Sequence, residues 1–103
     1  TTWETIYTVP THSSSNLGKS PVQTIISTII YCNVSGSVDS YSIRVVPSGE
    51  TAAAKHNIFH ERYVYGEVTE IITPGITMNS GDFINVYTDS GNGSFSVFGV
   101  ETH

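Results

Sequence analysis

Residues 75–101 constrain the fold more than any other part of the chain. Phe83, Asn85 and Tyr87 alternate with Ile84 and Val86, a polar Asp-Ser-Gly-Asn-Gly run follows at 89–93, and the segment ends Ser94-Phe95-Ser96-Val97-Phe98-Gly99-Val100-Glu101. Alternation with a period of two marks a strand that turns one face to a core. The stretch therefore predicts two short strands joined by a glycine-rich hairpin. Its glycines admit positive φ, and Asp82 and Asp89 suit turns because an Asp side chain bonds nearby backbone.

The rest of the chain repeats the theme. Residues 2–9 are aromatic and β-branched and stop at Pro10, which has no N–H for a ladder. Residues 11–20, with His12, four serines, Asn16 and Gly18, read as an exposed loop able to serve as a contact element. Residues 22–33 form a long strand with Ile26 and Ile30 on one side and Ile25 and Ile29 on the other, which predicts a central position in a packed sheet. A Ser/Gly turn over 34–39 leads to a strand over 41–46 with Tyr41, Ile43 and Val45 on one face and Arg44 on the other.

Pro47-Ser48-Gly49 predicts a tight turn, and Glu50-Thr-Ala-Ala-Ala-Lys55 is too short for more than one helical turn. Residues 57–59 end apolar, residues 62–73 hold one bent strand or two meeting at Gly66, and Pro74-Gly75 and Ser80-Gly81-Asp82 are turns. Seven or eight mostly antiparallel strands without a helical period predict a single all-β domain over residues 1–103, a β-sandwich or jelly roll.

Composition narrows the function classes. Lys and Arg number four against nine Asp and Glu, a formal net charge of −5, and Lys19, Arg44, Lys55 and Arg62 are scattered. That balance argues against nucleic acid, whose binding needs clustered basic side chains. Ser and Thr supply 27 of the 103 residues and charged residues only 13%, so hydroxyls keep the surface wet. Cys32 is alone in the run Ile29-Ile30-Tyr31-Cys32 and reads as a buried small hydrophobe. The absence of paired cysteines favours folding in a reducing cytoplasm. No leader or membrane span is expected, since residues 22–32 fall far short of the roughly 18 apolar residues of a spanning segment.

Chemical signatures are weak throughout. His56 and His60 lie four apart in a region with no helix to make them converge, so they read as surface histidines. Gly-x-Ser-x-Gly does not occur, Glu67 and Glu70 fall on opposite sides of a strand, and Gly91-Asn92-Gly93 lacks the lysine of a phosphate loop. The sequons at Asn33 and Asn92 are matches expected by chance in so Ser/Thr-rich a chain. No catalytic, cofactor-binding or metal-binding residue is nominated. Trp3, Tyr7, Tyr63, Tyr65 and Tyr87 suit either packing or a sugar-stacking platform, with Tyr63 and Tyr65 on one strand face the best pair for stacking.

The order Ile6-Tyr7-Thr8-Val9-Pro10, Ile29-Ile30-Tyr31-Cys32-Asn33, Tyr41-Ser-Ile-Arg-Val-Val-Pro-Ser-Gly49, Gly75-Ile-Thr-Met78, Gly81-Asp-Phe-Ile-Asn-Val-Tyr87 and Ser94-Phe-Ser-Val-Phe-Gly-Val-Glu101 resembles a group of small virion structural proteins of tailed bacteriophages, including those of cyanobacteria. The resemblance runs nearly end to end. It implies a β domain made in the host cytoplasm that acts through its surfaces in the particle. The leading expectation is a capsid cement or decoration protein on the capsid exterior, a homotrimer bridging major capsid subunits. A neck, baseplate or tail-fibre protein and a carbohydrate-binding adhesin for host-surface glycans are the alternatives. Neither nucleic acid nor membrane is an expected partner. Trp3, Ile6, Tyr7, His12, Tyr63 and Tyr65 are the candidate interface residues, and contacts are expected more from the N-terminal strand and loop than from the closing hairpin.

Overall fold

A computed structural model describes residues 3–10, 23–91 and 93–102. Among the described residues eight strands form two antiparallel sheets, in keeping with the alternating sequence. The first sheet is ordered β1 (Glu4–Thr8), β7 (Phe83–Thr88), β3 (Asp39–Val46), β4 (Asn57–Val64). In the second, β2 (Gln23–Asn33) is central. β8 (Gly93–Thr102) runs along one of its edges from Gln23 opposite Thr102 to Asn33 opposite Gly93, and β6 (Ile76–Asn79) and β5 (Thr69–Ile72) share the other. The helix-prone run contributes a 3-10 turn over Ala54–His56.

The strands on either side of the 89–93 turn do not pair with each other, which corrects the expected hairpin: β7 lies between β1 and β3, and β8 lies against β2. Alternation fixes which side chains turn inward and leaves the neighbouring strand undetermined. Asp39 anchors the crossing, its carboxylate accepting from Ser90 Oγ at 2.6 Å and from Ser90 N–H at 3.0 Å. Glycine is required at position 93 because a Cβ there would run into the Tyr31 ring.

Faces were legible where only one is apolar. Tyr41 and Ile43 of β3 and Ile84 and Val86 of β7 enter the core, while Arg44 and Tyr87 lie on the outside. In β2 the expected grouping fails. A bulge at Ser27, where the register against β8 slips between Ile26 and Thr28, brings Ile26 and Ile29 to the same inner face and turns Ile25 and Ile30 outward. Cys32 shares that outer side and is only half-buried, not a core residue.

The core joins Ile26, Ile29, Ile43, Met78, Ile84 and Val86 to an aromatic cluster, with Tyr31 and Tyr41 ring centroids 4.5 Å apart and Phe95 5.0 Å from Tyr31. Fully buried Asn33 ties the 34–38 turn to the end of β4: its Nδ2 donates to Ser37 and Val64 carbonyls, and its Oδ1 accepts from Ser35 N–H and Oγ–H. The Asn33 amide is thus committed to the fold, as a fully buried polar side chain requires. Residue 66 lies in the break between β4 and β5, and glycine is required there because a Cβ would stand 2.6 Å from the Gly36 backbone. Asp82 serves its turn as expected, accepting from Ser48 N–H and Asn79 N–H at 2.9 Å each.

Candidate functional site

A sandwich of two sheets leaves two long open sides, and here each is crossed by a tyrosine reaching a glutamate. On the side between β4 and β5, Tyr41 Oη donates to Glu70 Oε1 at 2.8 Å. Arg62 adds Nε to Oε1 at 2.7 Å and Nη2 to Oε2 at 3.1 Å, a two-point clasp between the sheets. The Arg62 hydrogen bonds and charge hold the Glu70 carboxyl below its ordinary value against the opposing effect of burial. Burial, and next the Glu70 contact, push the Tyr41 hydroxyl up. A wider groove of about 560 Å³ lies beside this clasp, lined by Phe59, Arg62 and residues 69–73.

The side between β1 and β8 stays open as a cleft of about 460 Å³ lined by Ile6, Tyr7, Thr24, Ile26, Phe95, Val97, Gly99 and Glu101. The period-two pattern of β8 builds one wall, since Phe95, Val97, Gly99 and Glu101 all point to the same face. A register shift between Thr5 and Tyr7 lets both Ile6 and Tyr7 line the other wall. Tyr7 Oη donates to Glu101 Oε2 at 2.5 Å and shares a 2.7 Å hydrogen bond with Thr24 Oγ1, whose residue is buried. Burial and the Glu101 contact raise the Tyr7 hydroxyl pKa, with the Thr24 bond opposing. Among the described residues no basic group pairs with Glu101. A cleft of this size, where apolar side chains such as Ile6, Phe95 and Val97 stand beside the polar atoms of Tyr7, Thr24 and Glu101, has the form of a small-ligand or side-chain pocket.

The nominated residues disperse over the molecule. Ile6 and Tyr7 line the cleft. Trp3 does not project as a free anchor: its ring lies 5.4 Å from Tyr87, and the Arg44 guanidinium carbon sits 3.8 Å from its centroid, on the outer face of the first sheet. Tyr63 and Tyr65 are 71% and 76% exposed. His12 lies outside the described residues. His56 and His60 make separate contacts, Nε2 of His56 to Glu50 and Nδ1 of His60 to Asn57, and among the described residues no three His, Cys, Asp or Glu side chains gather to hold a metal ion.

Two features went unnoticed in the sequence. Glu101 is one, although a carboxylate at the inward position of an apolar alternating strand was a readable signal. The other is an apolar stripe on the outer face of the second sheet. Val100 lies opposite Ile25, Phe98 stands two residues along β8, and Ile71 lies opposite Ile30. Ile25, Phe98, Val100 and Ile71 are 48%, 54%, 62% and 69% exposed. Compared with known proteins, the chain matches no family model, no curated sequence and no solved structure.

Proposed function

We propose that this chain is a non-catalytic structural module of a tailed-phage virion, a cement or decoration protein that docks on the capsid exterior and bridges major capsid subunits, as a trimer. The observation that carries the reading is the apolar stripe of Ile25, Phe98, Val100 and Ile71, which crosses three strands of one sheet and faces solvent. Contiguous exposed apolar surface of this kind marks an interaction face. The resemblance of the strand motifs to those of small virion structural proteins supports the kind of assembly proposed.

Copy number in purified particles tests it. Hundreds of copies on a calibrated gel support a place in the shell, whereas a dozen or fewer exclude it and move the chain to the neck, baseplate or fibres. A second reading, a glycan-binding adhesin, is favoured by the exposure of Tyr63 and Tyr65. Unchanged glycan-array binding and host adsorption in a Tyr63→Ala, Tyr65→Ala double variant would sink it.

A further inference from the structure

Three tyrosines in this fold reach a carboxylate, and the carboxylates differ in how completely they are satisfied. Asp39 accepts from Tyr31 Oη, Ser40 N–H, Ser90 N–H and Ser90 Oγ–H. Glu70 accepts from Tyr41 Oη and twice from Arg62. Glu101 accepts from Tyr7 Oη alone among the described residues and borders the β1/β8 cleft, whereas Glu70, which also borders a groove, already carries the Arg62 guanidinium. The β1/β8 side therefore has the tyrosine and the glutamate of the β4/β5 clasp and lacks its arginine.

We propose that the cleft between β1 and β8 receives an arginine side chain from a partner protein, with its guanidinium on the Glu101 carboxylate and its methylene stem against Ile6, Phe95 and Val97. The chemistry selects this occupant in three ways. A carboxylate at the edge of an apolar space attracts a cation, and the chain's net charge of −5 adds to that attraction. The apolar walls favour a cation carried on a hydrocarbon stem. A planar fork pairs with a carboxylate at two points, as Arg62 does with Glu70, and the compact lysine ammonium does not. A lone carboxylate flanked by two hydroxyls is too poor in charge to hold a divalent ion. The inference deepens the docking reading and rests on it for the source of the arginine.

Titration of the full chain by methyl and amide NMR tests the cleft directly, with N-acetyl-arginine amide, N-acetyl-lysine amide and the uncharged isostere N-acetyl-citrulline amide as probes. Saturable shifts at the Ile6, Ile26 and Val97 methyls are expected with arginine, weaker ones with lysine and none with citrulline. Glu101→Gln should weaken arginine binding by about tenfold or more, the scale of a lost charge-assisted pair, and Glu101→Asp should keep the preference for arginine over citrulline. Equal binding of citrulline, equal or tighter binding of lysine, an unaffected Glu101→Gln variant, or no response in the cleft methyls would each overturn the proposal. A failed titration leaves the apolar stripe and the copy-number test standing, and a low copy number leaves the titration standing, so the two readings fail separately.

Discussion

On the β4/β5 side of the sandwich, Tyr41 and Arg62 of one sheet converge on Glu70 of the other beside a groove of about 560 Å³, whereas on the β1/β8 side, among the described residues, Tyr7 alone reaches Glu101 at a cleft of about 460 Å³. The first side is finished within the chain. Its buried hydroxyl and its carboxylate satisfy each other, and the arginine removes the cost of a bare charge near the core. On the second side the described residues give the carboxylate one hydrogen bond and no cation. The difference teaches that one glutamate in this fold ties the sheets together through an arginine, while the other, among the described residues, has no such counter-charge.

Removing each glutamate in turn should break the comparison most visibly. Glu70→Ala strands the Tyr41 hydroxyl in a core residue that is 1% exposed, and a cost of about 2–3 kcal/mol is expected. Glu101→Ala leaves Tyr7 bonded to Thr24 and near solvent, at a cost below about 1 kcal/mol. Urea unfolding of both variants measures the gap, and equal losses would erase the distinction between the two sides.

Acid should act on the closed side and the nearby turn. Glu70 is held below its ordinary 4.5, chiefly by the Arg62 hydrogen bond. Asp39 is held below its ordinary 3.8, because hydrogen bonds led by that of Ser90 outweigh the opposing effect of burial. Folded-state values lowered in this way mean stability that is complete above the ordinary values and drains away as pH falls through the lowered ones. The urea midpoint should therefore drop on acidification below about pH 4.5, with a shallower slope in Glu70→Gln. Identical acid limbs for that variant and the parent would contradict the role given to Glu70.

What the sequence disclosed and withheld follows the same division. The inward face of β7 could be read because Ile84 and Val86 sit on one side only, and that of β3 because Tyr41 and Ile43 alternate with Ser40, Ser42 and Arg44, although Val46 at its end is buried against that alternation. β2 could not, because isoleucines fill both sides and the bulge at Ser27 inverts the phase. Pairing between β2 and β8 joins Gln23 to Thr102, a separation no local pattern encodes. Arg62 and Glu70 stand eight residues apart and meet only because the turn at Gly66 sends the chain to the other sheet, so an argument confined to one strand missed them. Glu101 is within reach of the alternation rule, since it continues the inward positions Phe95, Val97 and Gly99 of β8.

Smaller effects should separate the outer surfaces from the cleft. Trp3→Ala removes a ring that covers Arg44 and touches Tyr87, and about 1 kcal/mol of stability should go with it while arginine binding is unchanged. Calorimetry alongside the NMR titration checks both halves. Tyr63→Ala with Tyr65→Ala should alter stability by less than about 0.5 kcal/mol, because both side chains stand mostly in solvent. A larger loss in thermal unfolding would mean that these tyrosines support the fold.

The most direct test of the contrast between the two sides is a crystal structure of the chain grown with N-acetyl-arginine amide. Density for a guanidinium within hydrogen-bond reach of Glu101, its stem along Phe95 and Val97, with Arg62 still on Glu70, is the predicted result. An empty β1/β8 cleft at saturating probe, or the probe's guanidinium displacing Arg62 from Glu70, would contradict it.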